Sequence, residues 1–183
     1  MIAPVDVTNI RIETDRLIIR AWQKTDLIDF YEYARVDGVG QRCGWLPHES
    51  IEESSRILDM FIAEKKTFAL ELKENGKVIG SLGLEEMRPD PVEGEKLGRE
   101  IGYVLSKDYW GRGLMPEAVR AVIDYCFNVL QLDYLTCGHF VQNMQSRKVI
   151  EKAGFTYLGE STFETMYETV EINRIYMKYN PHK

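Results

Sequence analysis

The sequence predicts an α+β fold, in which a mixed, mostly antiparallel, twisted sheet of about seven strands carries about four helices on its faces. Segments with strand and helix periodicity follow one another in the order β-α-α-β-β-β-α-β-α-β-β. An Asn75-Gly76 dipeptide between two alternating apolar runs is typical of a β-hairpin. A strand, a helix and a second strand between residues 99 and 140 then indicate a parallel crossover.

The first strand is followed by two helices. The alternating run RLIIRAW, residues 16–22, predicts the strand. Residues 25–35 predict a helix with Thr25 as its N-cap. A second helix is predicted over residues 50–66, where Ser50 opens an S-x-x-E capping box.

The central part of the chain contains three strands and a helix. Residues 67–87 supply the two strands of the hairpin, residues 88–98 form a polar loop, and residues 99–106 form the next strand. A helix is predicted from about Pro116 to Leu130, because proline suits the first helical position.

The remaining elements close the sheet. Residues 133–140 predict a strand, residues 143–154 a helix, and residues 155–163 and 171–180 two final strands. Because no repeat or Ser/Pro-rich linker divides the sequence, we expect a single domain over residues 1–183.

Composition excludes several classes of protein. A formal net charge of −6 disfavours general nucleic-acid binding, which needs excess Lys and Arg. No apolar run approaches the roughly 20 residues that cross a bilayer, and the N-terminus has no secretory pattern. Cys43, Cys126 and Cys137 are odd in number and lack metal-ligand spacing. We therefore expect a cytoplasmic protein with free thiols, without a metal and without a nucleic-acid or membrane partner.

Two glycines precede the predicted 116–130 helix. The helix N-terminus carries unpaired N–H groups and a partial positive charge, which together attract phosphate. Gly111 and Gly113 would let the backbone approach a diphosphate without interference from Cβ atoms. The alternative is a turn that glycine eases and that binds nothing.

A second polar pair opens the helix predicted over residues 143–154. Asn143 and Ser146 are three residues apart and share one side of its first turn, where both could bind a ligand. The alternative is that Asn143 only caps the helix and Ser146 lies on the surface. Gly154 fits a left-handed C′ residue, after which Phe155 returns the chain to the core.

Together these stretches resemble the GCN5-related N-acetyltransferase superfamily and, within it, the branch that acetylates N-terminal amines of ribosomal proteins. The coenzyme A loop of that family reads Gln/Arg-x-x-Gly-x-Gly/Ala. In this sequence it falls on Trp110, Gly111, Arg112, Gly113, Leu114 and Met115. The later N-x-x-[A/S] helix with its Gly-Phe ending falls on Asn143, Ser146, Gly154 and Phe155. Three residues depart from the family pattern: Trp110 and Met115 in the loop, and Ile150 where many relatives carry a tyrosine that protonates the thiol.

The resemblance implies the acyl-CoA N-acyltransferase fold, acetyl-CoA as co-substrate and a role for each site residue. Glu100, on the strand before the loop, would be the base that acts through water. The strand would splay after the Gly-Tyr-Val run, and backbone N–H groups near Val104 and Leu105 would contact the pantetheine arm and thioester. With Ile150 in place of the tyrosine, Ser146 or a water would serve as the acid.

The sequence leaves the identity of the acetyl acceptor open. The first reading is transfer of acetyl to a protein N-terminal α-amine. The second is the same chemistry on a small amine such as a polyamine, amino sugar or amino acid. The third is a coenzyme A-binding domain without catalysis. A homodimer is also consistent with the resemblance.

Overall fold

Eight strands and four α-helices make up the described part of the chain, which comprises residues 1–87, 91–92 and 94–183 of a computed structural model. The strands are β1 (Arg11–Glu13), β2 (Leu17–Ala21), β3 (Thr67–Leu72), β4 (Val78–Glu85), β5 (Gly98–Leu105), β6 (Tyr134–Phe140), β7 (Thr156–Glu164) and β8 (Val170–Tyr179). The helices are α1 (Leu27–Ala34), α2 (Ile51–Glu64), α3 (Leu114–Asn128) and α4 (Met144–Lys152).

All eight strands form one sheet in the order β1-β2-β3-β4-β5-β6-β8-β7. Its pairs are antiparallel except β5 and β6, which are parallel and joined through α3. The predicted α+β class and mixed sheet are therefore confirmed. The additional strand is β1, which pairs with β2 at the edge of the sheet and is too short for its sequence to show alternation.

Local sequence signals account for several element boundaries. The predicted hairpin forms, with its loop closed by the bond from Leu72 N–H to Lys77 O at 2.8 Å; within the loop Gly76 has a φ of 71° and donates its N–H to Leu72 O at 2.8 Å. The Ser50 hydroxyl accepts the N–H of Glu53 at 3.2 Å and caps α2 as predicted. The carboxylate of Glu53, however, accepts the N–H of Glu49 and not that of Ser50.

Two helix starts differ from the prediction. Thr25 is not the N-cap of α1, because a 3-10 turn over Lys24–Asp26 precedes the helix and Asp26 takes the cap position. The Asp26 carboxylate accepts the Gln23 N–H at 2.8 Å and pairs with Arg20. Helix α3 begins at Leu114, so Pro116 is its third residue and still lies in the first turn, where no helical partner for an N–H exists.

The helices divide between the faces of the sheet. Helices α1 and α2 pack on β4 and β3, where Trp22, Phe30 and Tyr33 form an aromatic cluster. Helices α3 and α4 cover the other face, and burial of the α3 residues Ala118, Val119 and Val122 is nearly complete. None of the described helices is long and apolar enough to cross a membrane.

The sheet opens between its two central strands. Strands β5 and β6 pair from Gly98–Tyr134 to Ile101–Cys137, and the pairing then stops. Strand β5 nevertheless continues to Leu105 beside β4, and β6 continues to Phe140 beside β8. The separation thus begins before the Gly-Tyr-Val run, earlier than the resemblance implied. It leaves one edge of β5 without a strand neighbour, directly ahead of the glycine turn.

Candidate active site

The glycine turn that follows β5, residues 110–113, has left-handed backbone angles and is hydrogen-bonded to the end of the strand. Gly111 and Gly113 have φ values of 76° and 75°, and Gly113 is the N-cap of α3. A Cβ built at Gly111 would meet nothing within 4 Å, so the left-handed angle, and not crowding within the protein, favours glycine there. The Trp110 indole N–H donates to Leu105 O at 2.8 Å and fixes the turn against the end of the strand.

A brace from the N-terminal segment holds the same turn. Arg16 donates from Nη1 to the Arg112 carbonyl oxygen at 2.8 Å. The Arg16 guanidinium is itself paired with Glu117 in the first turn of α3, with an Nη2–Oε2 distance of 2.7 Å. Glu117 also accepts the Thr14 hydroxyl at 2.6 Å. Sequence reasoning missed this brace, because its two halves lie about a hundred residues apart and neither belongs to a motif.

The turn, the end of β5 and the first turns of α4 enclose a cleft of about 370 Å³. Most of the residues predicted to bind the cofactor line it. These are Val104, Leu105, Gly111, Gly113, Leu114, Met115, Asn143 and Ser146. Three basic side chains, Arg42, Lys148 and Lys152, also contribute to its wall. The Arg112 side chain does not line the cleft; it is exposed, and its guanidinium lies 5.0 Å from the centre of the Tyr109 ring.

The first turn of α4 presents two buried polar side chains to the cleft. Asn143 caps the helix by accepting the Ser146 N–H at 3.2 Å, and it also accepts from Arg42 Nη1 at 3.2 Å. The Ser146 hydroxyl lies 2.8 Å from the Tyr103 hydroxyl. Asn143 is therefore a cap and a lining residue at once, and Ser146 is not a surface residue.

A second cavity of about 270 Å³ surrounds Glu100. Its wall includes Glu85, which is the cross-strand partner of Glu100 in the β4–β5 ladder, together with His139, Phe163 and Asn173. Burial, and then the negative charge of Glu85, raise the pKa of Glu100 to about 7. A carboxyl group that titrates near neutrality can accept a proton under physiological conditions. In the part of the chain that the structure describes, no group of three or more His, Cys, Asp or Glu could hold a metal ion.

The two cavities meet in the opening between β5 and β6. Five residues line both of them: Arg42, Cys43, Tyr103, Asn143 and Ser146. A group held in the cleft and a group held beside Glu100 would come together at this junction. Tyr103 was not predicted as a site residue, because strand alternation places it on the opposite face from Glu100, and only the separation of the strands lets both reach one opening.

Ile150, at the α4 position where the resemblance implied a tyrosine, contributes nothing to either cavity. Its side chain is 1% exposed and belongs to the core cluster under α3 and α4. Any proton donor for this site therefore has to be a residue other than Ile150.

The comparisons with known proteins agree with this architecture. The family model of the acetyltransferase (GNAT) domain matches residues 16–156. The uncharacterised N-acetyltransferase YoaA of Bacillus subtilis is 29% identical over 154 residues, which cover 81% of this chain and 84% of that protein. YjcK of the same organism, described as a probable N-acetyltransferase, is 36% identical over 92 residues, and the match spans about half of each protein (50% and 49%).

The fold also matches a solved structure. The crystal structure of a GNAT-family acetyltransferase from Bacillus anthracis superposes with a TM-score of 0.81 at 21% identity, covering 93% of this chain and 99% of that one. The family model spans well over half of the chain. The open sheet and its glycine turn are the architecture that the sequence resemblance implied. The chain therefore belongs to the GNAT family of N-acetyltransferases.

Proposed function

We propose that this protein transfers the acetyl group of acetyl-CoA to a protein N-terminal α-amine. The observation that carries the proposal is the position of Glu100, in a cavity that meets the glycine-turn cleft, with its pKa raised to about 7. An α-amine has a pKa of about 8 and a lysine side chain one of about 10.4. Glu100 is therefore better matched to the deprotonation of an α-amine.

The cleft fits acetyl-CoA on three grounds. The N-terminus of α3 offers free N–H groups to a diphosphate, beside two glycines with left-handed angles. Arg42, Lys148 and Lys152 give the wall a positive charge in a protein of net charge −6. The microcin C7 self-immunity acetyltransferase MccE, whose structure superposes with a TM-score of 0.75 at 17% identity over 91% of this chain and 93% of that one, was solved with acetyl-CoA and AMP.

The open edge of β5 supplies donors for the acyl arm. The carbonyls of Tyr103 and Leu105 point into the opening, where they accept from Cys43 Sγ at 3.5 Å and Trp110 Nε1 at 2.8 Å. Because N–H and C=O of one strand residue point the same way, the Leu105 N–H also faces the opening. The Val104 backbone is turned toward β4, as the approach of its carbonyl to Gly80 indicates. Leu105 is thus the better donor of the predicted pair.

Acetyl-CoA, when bound, supplies a thioester with a thiolate as its leaving group. Glu100 accepts the proton of the attacking amine, directly or through a water. Leu105 N–H would donate to the acyl oxygen, where negative charge develops, and Ser146, at the junction of the two cavities, would be the hydroxyl available to the departing sulfur. Cleft and cavity hold the two reactants next to each other, which itself contributes to the rate.

The second candidate acceptor is a small polyamine. Glu85 and Glu100 place two carboxylates in one cavity, which favours a second cationic group on the acceptor. The spermidine N(1)-acetyltransferase of Escherichia coli K12 is 26% identical over 118 residues, covering 64% of this chain and 61% of that protein. For the α-amine, YdaF of Bacillus subtilis, provisionally named a ribosomal N-acetyltransferase, is 37% identical over 62 residues, covering 34% of each protein.

An acceptor screen that reads free thiol release from acetyl-CoA separates these functions. A peptide with a free α-amine should release thiol, and the same peptide blocked at its N-terminus but carrying a lysine should not. Spermidine, amino sugars and free amino acids complete the screen. Thiol release with spermidine alone would favour the second candidate. If no amine caused thiol release while calorimetry still showed CoA binding, the protein would be a CoA-binding domain and the proposal would be refuted.

A further inference from the structure

A tyrosine from β5 and a serine from α4 meet at the junction of the two cavities. Tyr103 Oη lies 2.8 Å from Ser146 Oγ and 3.2 Å from the Ser146 carbonyl oxygen. We propose that Tyr103 is a positioning residue that aims the Ser146 hydroxyl at the departing thiolate sulfur, so that a phenol from the sheet replaces the tyrosine absent from α4. The proposal depends on acetyl transfer from acetyl-CoA and not on which amine accepts it.

The hydroxyl pair lies where the two reactants would meet. Tyr103 and Ser146 both line the cleft and the Glu100 cavity. A bond that breaks while an amine in one cavity attacks an acyl group in the other must lie where the cavities meet. The alternative position on α4 is closed, because Ile150 is buried in the core.

The Tyr103 and Ser146 hydroxyls can adopt two hydrogen-bonding arrangements. Each hydroxyl has one proton, and Ser146 is held in place by the bond from its N–H to Asn143. When no negative charge is near, Ser146 can donate to Tyr103 and Tyr103 to the Ser146 carbonyl oxygen. When charge develops on sulfur, Tyr103 donates to Ser146 Oγ, and the serine proton turns toward the sulfur. The arrangement therefore changes by rotation of two O–H bonds, without movement of the backbone.

The Tyr103 phenol and the thiols near it stay protonated at neutral pH. Burial raises the pKa of Tyr103 well above its ordinary value, so the phenol stays a donor at neutral pH. Burial also raises the pKa of the Cys43 thiol to about 12, and that of Cys137 is raised further, so both neighbours stay neutral. The cation facing the junction is Arg42, and the titratable groups across the opening are Glu100, Glu85 and His139.

The proton balance follows from these values. A thiol of ordinary pKa, about 8.5, is more acidic than either hydroxyl, so the pair stabilises the thiolate by hydrogen bonding and keeps its own protons. The proton that Glu100 takes from the amine passes to solvent. The thiolate gains its proton from solvent after it leaves. No other reactant is required.

The decisive measurement is the pKa of the thiol of bound CoA, followed by the ultraviolet absorbance of the thiolate, and it needs no acceptor. In the unchanged protein the bound thiol should titrate about one pH unit below free CoA. Tyr103→Phe and Ser146→Ala should each abolish most of this shift, whereas Ser146→Thr, which keeps a hydroxyl, should retain part of it. Tyr125→Phe, which removes a phenol from α3 outside both cavities, is the matched control and should change nothing.

Two further measurements distinguish a positioning role of Tyr103 from a purely structural one. The affinity for desulfo-CoA, which lacks the sulfur, should stay within about twofold in Tyr103→Phe. The kcat of Tyr103→Phe with acetyl-CoA should fall about tenfold with little change in KM. With acetyl thioesters of more acidic thiols, whose thiolates need less stabilisation, the fall in kcat should be smaller. An unshifted thiol pKa in the unchanged protein, a shift that survives Tyr103→Phe, or an equal loss of desulfo-CoA affinity in that variant would each overturn the proposal. The failure of the acceptor assignment would leave these titrations unaffected.

Discussion

Glu85 and Glu100 are direct cross-strand partners on β4 and β5, and both line the smaller cavity. Two like charges in this relationship destabilise each other. Glu85 is partly compensated by Lys66, whose Nζ lies 2.8 Å from its carboxylate, whereas the structure describes no hydrogen bond or ion pair to the carboxylate of Glu100. Burial raises the pKa of Glu100 to about 7, and the negative charge of Glu85 adds to this shift, so Glu100 is the partner expected to hold a proton.

The pH dependence of turnover should report this pair. Under saturating substrates, kcat should rise with pH and level off above about 7, because Glu100 must be ionised to accept a proton. Glu85→Gln removes a negative charge that raises the pKa of Glu100, so its profile should shift to lower pH. Glu64→Gln is the control, since Glu64 also pairs with Lys66 but does not line the cavity. A profile that Glu85→Gln leaves in place would show that the two carboxylates are not coupled.

Replacement of the base itself should separate chemistry from binding. Glu100→Gln should slow turnover at least tenfold while acetyl-CoA affinity stays nearly unchanged, because Glu100 does not line the CoA cleft. Steady-state kinetics and calorimetry with CoA provide the two numbers. Unchanged turnover would refute the assignment of Glu100 as the base.

The same variant should be more stable than the unchanged protein, but only at higher pH. Glu100 has a pKa of about 7 in the folded protein against 4.5 as its ordinary value, so folding favours the protonated form. No cost to stability exists below about pH 4.5; the cost grows as pH rises between the two values and is complete above about 7. Glu100→Gln should therefore add up to about 3 kcal/mol to the free energy of unfolding near pH 8 and little near pH 4.5. Denaturant titrations at both pH values test this, and equal changes at both would contradict it.

The elements that are marked by a local sequence pattern could be predicted from the sequence. The Asn75-Gly76 hairpin, the Ser50 cap and the left-handed Gly154, which has a φ of 79°, each depend on residues a few positions apart. The glycine turn and the first turn of α4 belong to this class, which is why the sequence indicated both walls of the cleft. Thr25 shows the limit, since the 3-10 turn before α1 is favoured by the pairing of Asp26 with Arg20 on β2 and not by a local pattern.

The parts that the sequence did not reveal depend on contacts between distant segments. The Arg16–Glu117 brace joins residues 101 positions apart. The contact of Tyr103 with Ser146 requires that β5 and β6 separate and that α4 return to the opening, and no residue type encodes either event. Strand β1 is stabilised by its partner β2 and not by its own three residues.

The glycine turn should distinguish charge from backbone strain. Gly111→Asp places a carboxylate where a diphosphate is expected to lie. In Gly111→Asn the side chain has nearly the same size and must adopt the same left-handed φ of 76°, but it carries no charge. CoA binding, measured by calorimetry, should be lost in the aspartate variant and weakened far less in the asparagine variant. Tight CoA binding by the aspartate variant would refute the loop assignment. Equal losses in both variants would indicate that strain and not charge is responsible.

Ile150 occupies the α4 position where the resemblance implied a tyrosine. Ile150 is 1% exposed among the side chains under α3 and α4, so a larger side chain there has no open space to enter. Ile150→Tyr should therefore lower the free energy of unfolding by about 1–3 kcal/mol through overpacking and should leave kcat no higher. Ile150→Leu is the matched control, because it nearly conserves volume and should cost less than about 1.5 kcal/mol. If the tyrosine variant instead raised kcat and made Tyr103→Phe harmless, the α4 position would reach the reacting sulfur after all, and the sheet phenol would lose its role.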